Sequence, residues 1–178
     1  MKQIIVKVTM LLAVLIMSAK AFAYDFEVDG IYYNILSDTT CEVTYKSLGS
    51  RNDYIGKVII PKQVSKYHVG TKRVVAIGAC AFALCPSLSS IDIPNSVKEI
   101  GNSAFSNCTG LKSIIIPDSV ESIGIFAFDW CRSLTSVDIP NSIKSIGPYA
   151  FRNCTGLTSV DIPHSIEYIN EGTFEYCI

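Results

Sequence analysis

Five cysteines recur along this chain at a constant step of 23 residues, and this spacing limits the folds that the chain can adopt. They are Cys85, Cys108, Cys131, Cys154 and Cys177. The same step separates Pro94, Pro117, Pro140 and Pro163, and it also separates Phe82, Phe105, Phe128, Phe151 and Phe174. Such a period is typical of chains built from one repeated supersecondary unit, in which each unit buries its apolar face only against its neighbours. The spacing therefore predicts a stack of similar coils.

Each unit is expected to contain a short strand followed by a return path. In Ile91-Asp92-Ile93 and Val137-Asp138-Ile139, apolar and polar residues alternate with the period of a strand that has one buried face. A proline then ends the strand. Apolar residues between Val97 and Cys108 recur every three to four positions, which predicts a turn-rich or short helical return path. A glycine in this half is expected to form a tight turn at positive φ. It recurs as Gly101, Gly124 and Gly147, and Asn170 takes its place in the last unit.

The repeated unit carries a specific combination of short motifs. The stretch Leu111-Lys112-Ser113-Ile114-Ile115-Ile116-Pro117-Asp118-Ser119-Val120 is followed by Ile-Gly and Ala-Phe-x-x-Cys in fixed register. Over residues 65–178 this pattern resembles the bacterial surface-antigen, or BspA-like, type of leucine-rich repeat. The resemblance implies a leucine-rich repeat solenoid with strands on one face and the Ala-Phe-x-x-Cys halves on the other. It also implies a protein without catalytic residues that adheres to host matrix proteins or to other bacterial surfaces.

The first 23 residues have the pattern of a secretory signal. Lysines precede an apolar run from Val8 to Met17, and Ala21-Phe22-Ala23 supplies a small-x-small cleavage site. The run is about half the roughly 20 residues that a membrane anchor needs. We expect cleavage before Tyr24, with an uncleaved anchor as the alternative. The mature protein is then exported without a transmembrane segment, and is periplasmic, secreted or on the outer surface.

Charge argues against nucleic acid as a partner. Loss of Lys2, Lys7 and Lys20 with the signal leaves 12 basic residues against 16 acidic ones, a formal charge of −4. A chain with this balance does not attract a phosphate backbone.

The segment before the repeats, residues 24–64, is predicted to form a β cap over the open end of the core. Asp29-Gly30 joins two alternating runs, which is a strong hairpin signal. Pro61 precedes Pro94 by 33 residues, one period plus about ten. The extra residues are expected to form a second hairpin between Val64 and Ala76, and the regular array is assigned to residues 65–178.

The cysteine ladder is expected to fill the core with buried thiols that bond weakly to backbone, because cysteines that recur once per coil all face inward. Cys41 and Cys80 lie outside the ladder and are the better candidates for a disulfide. The cysteines do not form the two close pairs that are typical of a zinc site. A hydrolase would need a base beside a nucleophile, and neither His68 nor His164 lies in such a pattern. We expect neither a cofactor nor a metal, and we expect no enzymatic activity.

Outward positions repeat once per coil and form rows along the solenoid axis. On the strand face one row is Asp92, Ile115, Asp138 and Asp161, and a second is Ser90, Ser113, Ser136 and Ser159. Aligned carboxylates suit a cation or a basic partner, and a solvated acidic face is the alternative. On the return side, the rings of Phe126, Tyr149 and Trp130 either form a binding surface or pack over the ridge between coils.

A further row alternates in sign, as Lys98, Glu121, Lys144 and Glu167. It is expected to help fix the register of the coils.

Two functions are compatible with these patterns. The first is an exported binding or adhesion module that recognises a protein or glycan, for example host matrix or another bacterial surface, through the solenoid surface. The second is a structural module that stacks through the coil that ends at Cys177, as a shortened relative of longer repeat proteins.

Overall fold

The computed structural model describes residues 24–47 and 54–177, and within these ranges the chain contains twelve strands and no helix. The predicted secretory signal lies outside the described residues. The strands are β1 (Phe26–Val28), β2 (Ile31–Ile35), β3 (Thr40–Thr44), β4 (Gly56–Ile59), β5 (Gln63–Lys66), β6 (Gly70–Ile77), β7 (Leu88–Asp92), β8 (Glu99–Ile100), β9 (Ser113–Ile115), β10 (Ser122–Ile123), β11 (Ser136–Asp138) and β12 (Ser145–Ile146).

Both predicted hairpins are present. Strands β1 and β2 pair antiparallel around Asp29 and Gly30, which have φ values of 51° and 78°. Two successive residues at positive φ are what a tight hairpin turn requires. Strands β5 and β6 form the second hairpin, with a turn at Tyr67, His68 and Val69. Strand β3 pairs antiparallel with β2 and parallel with β6, so it joins the first hairpin to the repeated part of the fold.

Strands of successive coils pair in parallel on two sides of the molecule. One sheet runs through β6, β8, β10 and β12, and on another side β4 pairs with β7 and β9 with β11. Between coils, Ser113 pairs with Ser136 and Ser122 with Ser145, which is the 23-residue step of the sequence. The repeated alternation therefore places one side chain of each strand in the core and the next in solvent.

The return path is a pair of turns, so the alternative of a short helix is wrong. Two residues of each path have left-handed backbone conformation, for example Ser103 at φ 54° and Asn107 at φ 61°, and a helix cannot continue through such residues. Their N–H groups donate to Ile125 and Asp129, carbonyls of the next coil, at 2.8 and 2.7 Å. Hydrogen bonds between coils thus replace the bonds that a helix would make within a coil.

The expectation of positive φ at the repeated glycines is also wrong. Positive φ occurs at other positions, and Gly101, Gly124 and Gly147 are required instead by close approach of the coils. A Cβ at Gly101 would lie 2.8 Å from the backbone nitrogen of Ala79, and at Gly124 it would lie 2.6 Å from that of Asn102. A side chain does not fit at these glycines, because their backbone lies against the backbone of the preceding coil.

The core contains two ladders that run along the axis. Phenylalanine rings stack in parallel with centroids 5.0 to 5.5 Å apart, and they are Phe82, Phe105, Phe128, Phe151 and Phe174. Beside them, the Sγ of Cys131 donates to the carbonyl of Phe105 at 3.2 Å, and Cys154 to Phe128 at 3.2 Å. The predicted packing of thiols in the core, with bonds to backbone, is confirmed for Cys85, Cys108, Cys131 and Cys154, while Cys177 is half-buried.

All seven cysteines are free in the structure. Cys41, a candidate for a disulfide with Cys80, is buried, and its Sγ lies 3.8 Å from the carbonyl oxygen of Arg73. Cys80 is half-buried and has left-handed backbone conformation at φ 58°.

Candidate functional site

The strand face carries an open groove across three successive coils. Its volume is about 640 Å³. It is lined by strand residues and by the loops that follow each strand, among them Asp92, Ile115, Asp118, Asp138 and Asn141. Three of the predicted site residues, Asp92, Ile115 and Asp138, therefore lie together. The loop residues Asn95, Asp118 and Asn141 add polar groups that the strand rows alone did not reveal.

An exposed isoleucine lies at the centre of this groove. Strand register aligns Ile115 with Asp138, and Ile59 of β4 with Asp92, so apolar and acidic side chains alternate along the axis. Ile115 is 78% exposed and Ile59 is 63% exposed. Such exposure of large apolar side chains in a concave surface is typical of interaction sites when the surrounding residues are polar.

The two carboxylates of the row that line the groove, Asp92 and Asp138, differ in their partners. Lys57 Nζ lies 2.7 Å from Asp92 Oδ2, and both side chains are about half exposed. Asp138 has no cationic partner in the part of the chain that the structure describes. Because Lys57 already compensates Asp92, a cationic ligand in the groove would meet Asp138 without displacing an ion pair.

The remaining predicted strand-face residues contribute less. Ser113 and Ser136 are exposed beside the groove, and Ser90 is half-buried. Ser159 and Asp161 are exposed, but no strand is assigned around them, so they do not extend the paired surface.

A second cavity continues the strand face toward the first hairpin. It has a volume of about 460 Å³ and is lined by Ile31, Tyr33, Tyr54, Lys57 and Ile59, among others. Tyr33 is fully buried, and its hydroxyl has no hydrogen-bond partner in the described part of the chain. Burial raises the pKa of this hydroxyl above its usual range. Ile59 and Lys57 connect this cavity with the groove at Asp92.

The predicted aromatic residues on the return side are packed against each other and against arginines. Phe126 and Tyr149 stack with centroids 5.2 Å apart, and the Arg152 guanidinium lies 4.9 Å from the centroid of Phe126. Arg132 lies 4.2 Å from the centroid of Trp130. The rings are half-buried, which agrees with packing over the ridge between coils.

These rings occupy strained backbone positions. Phe126, Trp130 and Tyr149 have φ values of 56°, 63° and 58°, a conformation that costs about 1–2 kcal/mol per L-residue. A Cβ at Gly172 would overlap the ring of Tyr149, so the ring lies directly on that glycine. Stacking and the cation–π contacts of Arg132 and Arg152, worth about 0.5–2 kcal/mol each, offset this cost.

Besides Lys57 and Asp92, two further groups of charged residues connect neighbouring coils within the described part of the chain. Glu121 lies 3.6 Å from Lys98 and 2.5 Å from Lys144, which confirms the predicted alternating row for these three residues. The Lys144 ammonium holds the pKa of Glu121 below its usual range. Arg152 and Asp129 form a second pair at 3.0 Å that was missed, although the two lie 23 positions apart. Aligning every column of the repeat would have found it.

The coil of residues 157–177 has an open edge in this structure. The N–H groups of Gly172, Phe174 and Tyr176 have no partner among residues 24–47 and 54–177, whereas their counterparts one coil earlier bond to this coil. An apolar cavity of about 320 Å³ lies beside them, with Leu157 and Phe174 in its wall. This edge matches the one that each earlier coil offers to its successor.

The described residues show no arrangement typical of a metal site or a membrane span. Within residues 24–47 and 54–177, no three His, Cys, Asp or Glu side chains come close enough to hold an ion, and no helix is long and apolar enough to cross a membrane. His164 is exposed, and His68 lies at the tip of the β5–β6 hairpin.

Parallel strands and stacked turns with a 23-residue step define a leucine-rich repeat solenoid. A family model described as the BspA type leucine-rich repeat region matches residues 75–178 in six copies, and the chain belongs to this family. Proteins of this family are typically exported or on the cell surface, and leucine-rich repeat proteins of this kind are generally non-catalytic. No curated protein matches the chain.

Solved structures of bacterial leucine-rich repeat proteins share the fold. One from Bacteroides ovatus is 35% identical with a TM-score of 0.71, and the match covers 86% of this chain and 45% of that protein. A leucine-rich cell surface protein from Faecalibacterium prausnitzii is 33% identical with a TM-score of 0.70, covering 85% and 40%. A leucine-rich repeat protein from T. pallidum is 32% identical with a TM-score of 0.73, covering 86% and 67%. The chain thus spans less than half of the first two proteins.

Proposed function

We propose that this chain is an exported, non-catalytic binding module that recognises a partner protein or glycan through the strand-face groove. The observation that carries this proposal is Ile115, an apolar side chain left 78% exposed in a row of carboxylates. On an acidic face that contacts only water, an exposed isoleucine would contribute no stabilisation. Burying it against a partner would contribute about 1.5–3 kcal/mol.

The chemistry of the groove favours a protein partner with an apolar side chain next to a cationic one. Ile115 would take the apolar group, and Asp118 and Asp138 would meet the cation. Charge complementarity of this kind mainly sets specificity and association rate. An anionic glycan would be repelled by the same carboxylates.

Export is supported by the pattern of the first 23 residues and by the family. The Faecalibacterium relative is itself described as a cell surface protein. A binding surface of this kind meets extracellular proteins, such as host matrix or the surface of a neighbouring bacterium, only in an exported protein.

The test is a pull-down from host-matrix and bacterial-surface extracts with three forms of the chain. The wild type and Ile125→Asp are expected to recover the same partner, because Ile125 is an exposed isoleucine on the return side, outside the groove. Ile115→Asp is expected to lose it. Recovery of the same partner by Ile115→Asp would refute the groove as its binding site, and recovery of no partner by the wild type would refute a partner from these extracts.

A second role, assembly through the coil of residues 157–177, is favoured by its three unpaired N–H groups and its apolar cavity. A following coil or a second molecule would supply the missing carbonyls. Light scattering over a concentration range tests this role, because a strictly monomeric chain of these 178 residues contradicts association through that edge.

A further inference from the structure

Charge is segregated along the chain. Residues 54–91 contain Lys57, Lys62, Lys66, Lys72 and Arg73 and no acidic residue. Residues 92–177 contain ten acidic and five basic residues. One part of the solenoid is therefore cationic and the part that carries the groove is anionic.

The β5–β6 hairpin concentrates the cationic part at the surface. Val64 pairs with Lys72 on its inner face, whereas Gln63, Arg73, Ser65 and Thr71 form its outer face. Lys62, Lys66 and Arg73 are exposed and form no ion pair within the described residues. The contact that Lys66 makes is with the backbone carbonyl of Glu27, at 2.6 Å, which leaves its charge uncompensated.

The tip of this hairpin carries an aromatic ring. Tyr67 is 85% exposed and packs against His68 with centroids 3.8 Å apart. His68 has left-handed backbone conformation at φ 68°, which fixes the turn that presents the ring. An exposed tyrosine of this kind, next to Lys66, is typical of the residues that anchor protein interfaces.

Hairpin and groove are complementary in charge and in polarity. The hairpin offers an apolar ring beside cations, and the groove offers an apolar side chain, Ile115, beside Asp118 and Asp138. They do not meet within one molecule, because β6 anchors the hairpin in the sheet with β3 and β8, whereas the groove belongs to β7, β9 and β11, which lie in other sheets.

We propose that a second copy of this chain is the partner of the groove, with the β5–β6 hairpin of one molecule bound in the strand-face groove of the next. The proposal rests on the groove being a binding site, as proposed above, and it names the occupant. Such a contact joins two different surfaces, so it propagates into open linear assemblies instead of closing as a two-fold dimer.

Sedimentation velocity of charge-reversed variants tests this contact. The groove variant carries Asp118→Lys and Asp138→Lys, and the hairpin variant carries Lys66→Glu and Arg73→Glu. Wild type is expected to associate with rising concentration and to dissociate at high salt, because exposed charges are then screened. Each variant alone is expected to stay monomeric, and an equimolar mixture is expected to associate, since every contact in it pairs opposite charges.

One further substitution is a control for a change of charge outside both surfaces, and another tests the aromatic ring without changing any charge. Lys112→Glu changes an exposed lysine outside both surfaces and is expected to leave association unchanged. Tyr67→Ala keeps every charge and is expected to weaken association about ten- to thirty-fold, as loss of an anchor side chain does. Circular dichroism melting verifies that each variant is folded.

The outcomes separate this inference from the proposed function. A monomeric wild type, a mixture that stays dissociated although both variants are folded, or full association of Tyr67→Ala overturns the inference. Retention of a monomeric wild type on dextran sulfate, lost in the hairpin variant, would assign the hairpin to polyanions instead. If the inference fails and the pull-down still recovers a partner that Ile115→Asp loses, the groove keeps its proposed function with a foreign partner.

Discussion

Arg152 donates two hydrogen bonds, each 3.0 Å long, to the two carboxylate oxygens of Asp129 in the preceding coil. Asp129 is 6% exposed, and Asn153 donates to it as well, at 3.2 Å. The hydrogen bond with Asp129 raises the pKa of Arg152 above its usual value. Because Arg152 also lies against Phe126 and Tyr149, one guanidinium connects the charged and aromatic contacts of the return side.

A double-mutant cycle on Asp129 and Arg152 is expected to give a coupling energy of about 1–3 kcal/mol, since the carboxylate is buried and doubly bonded. The matched control is Glu121 and Lys144, an exposed pair at the same spacing, for which about 0.5 kcal/mol or less is expected. Urea denaturation measures both. Equal couplings for the two pairs would contradict the importance of burial.

Truncation of the phenylalanine ladder is expected to cost more in its middle than at its end. Phe128 is fully buried between two stacked rings, whereas Phe174 is half-buried and stacks on Phe151 alone among the described residues. Phe128→Ala is expected to lower the free energy of unfolding by about 3–5 kcal/mol. Phe174→Ala is expected to cost less than half as much. A similar loss for both would show that stacking order does not set the stability.

The thiol ladder predicts a loss of stability in alkali. Burial raises the pKa of Cys154 to about 12 and that of Cys131 well above its usual range. Unfolded thiols ionise from about pH 8.5. The stabilisation from each buried thiol is therefore complete below that pH. It falls as the pH rises toward the folded pKa, by about 1.4 kcal/mol per thiol near pH 9.5.

Urea titrations at pH 7.5 and 9.5 with reductant present measure this loss. Replacing Cys131 and Cys154 by valine is expected to reduce the difference between the two pH values. Unchanged pH dependence in that variant would assign the loss to other groups.

Close approach of the coils predicts a penalty at a repeated glycine. Gly124→Ala is expected to cost about 1–3 kcal/mol, because the new methyl group would meet the backbone of Asn102 at 2.6 Å. Ser103→Gly is the control, since it relieves a residue at φ 54° and is expected to change stability by less than about 1 kcal/mol. Thermal melting compares the two. A neutral Gly124→Ala would mean that the coils separate easily.

The sequence period was sufficient to predict what every coil shares. The recurrence of Cys131 and its counterparts once per coil predicts that they face the core, and the structure places Cys131 there. Lys57 was missed as the partner of Asp92 because the 33-residue interval before Pro94 breaks the period, so its register could not be inferred.

Backbone conformation was the property that the sequence predicted least well. Propensity assigns positive φ to glycine, so Gly124 was expected to have it, whereas Phe126 and Trp130 do. Packing between coils overrides the local preference at these residues, because aromatic stacking and hydrogen bonds to the next coil stabilise the strained turns. Contacts of this kind exist only after the coils have stacked.

The turn side gives the solenoid a chemical direction. N–H groups such as those of Phe105 and Phe128 donate toward the later coil, to Ala127 and Ala150, whereas the N–H group of Gly124 donates toward the earlier coil, to Ile100. Each coil thus presents a fixed pattern of donors and acceptors on each edge, and the patterns of the two edges are complementary. At the level of the gene, duplication or deletion of one whole unit leaves every edge matched. A change in the number of whole units is therefore expected to preserve the fold.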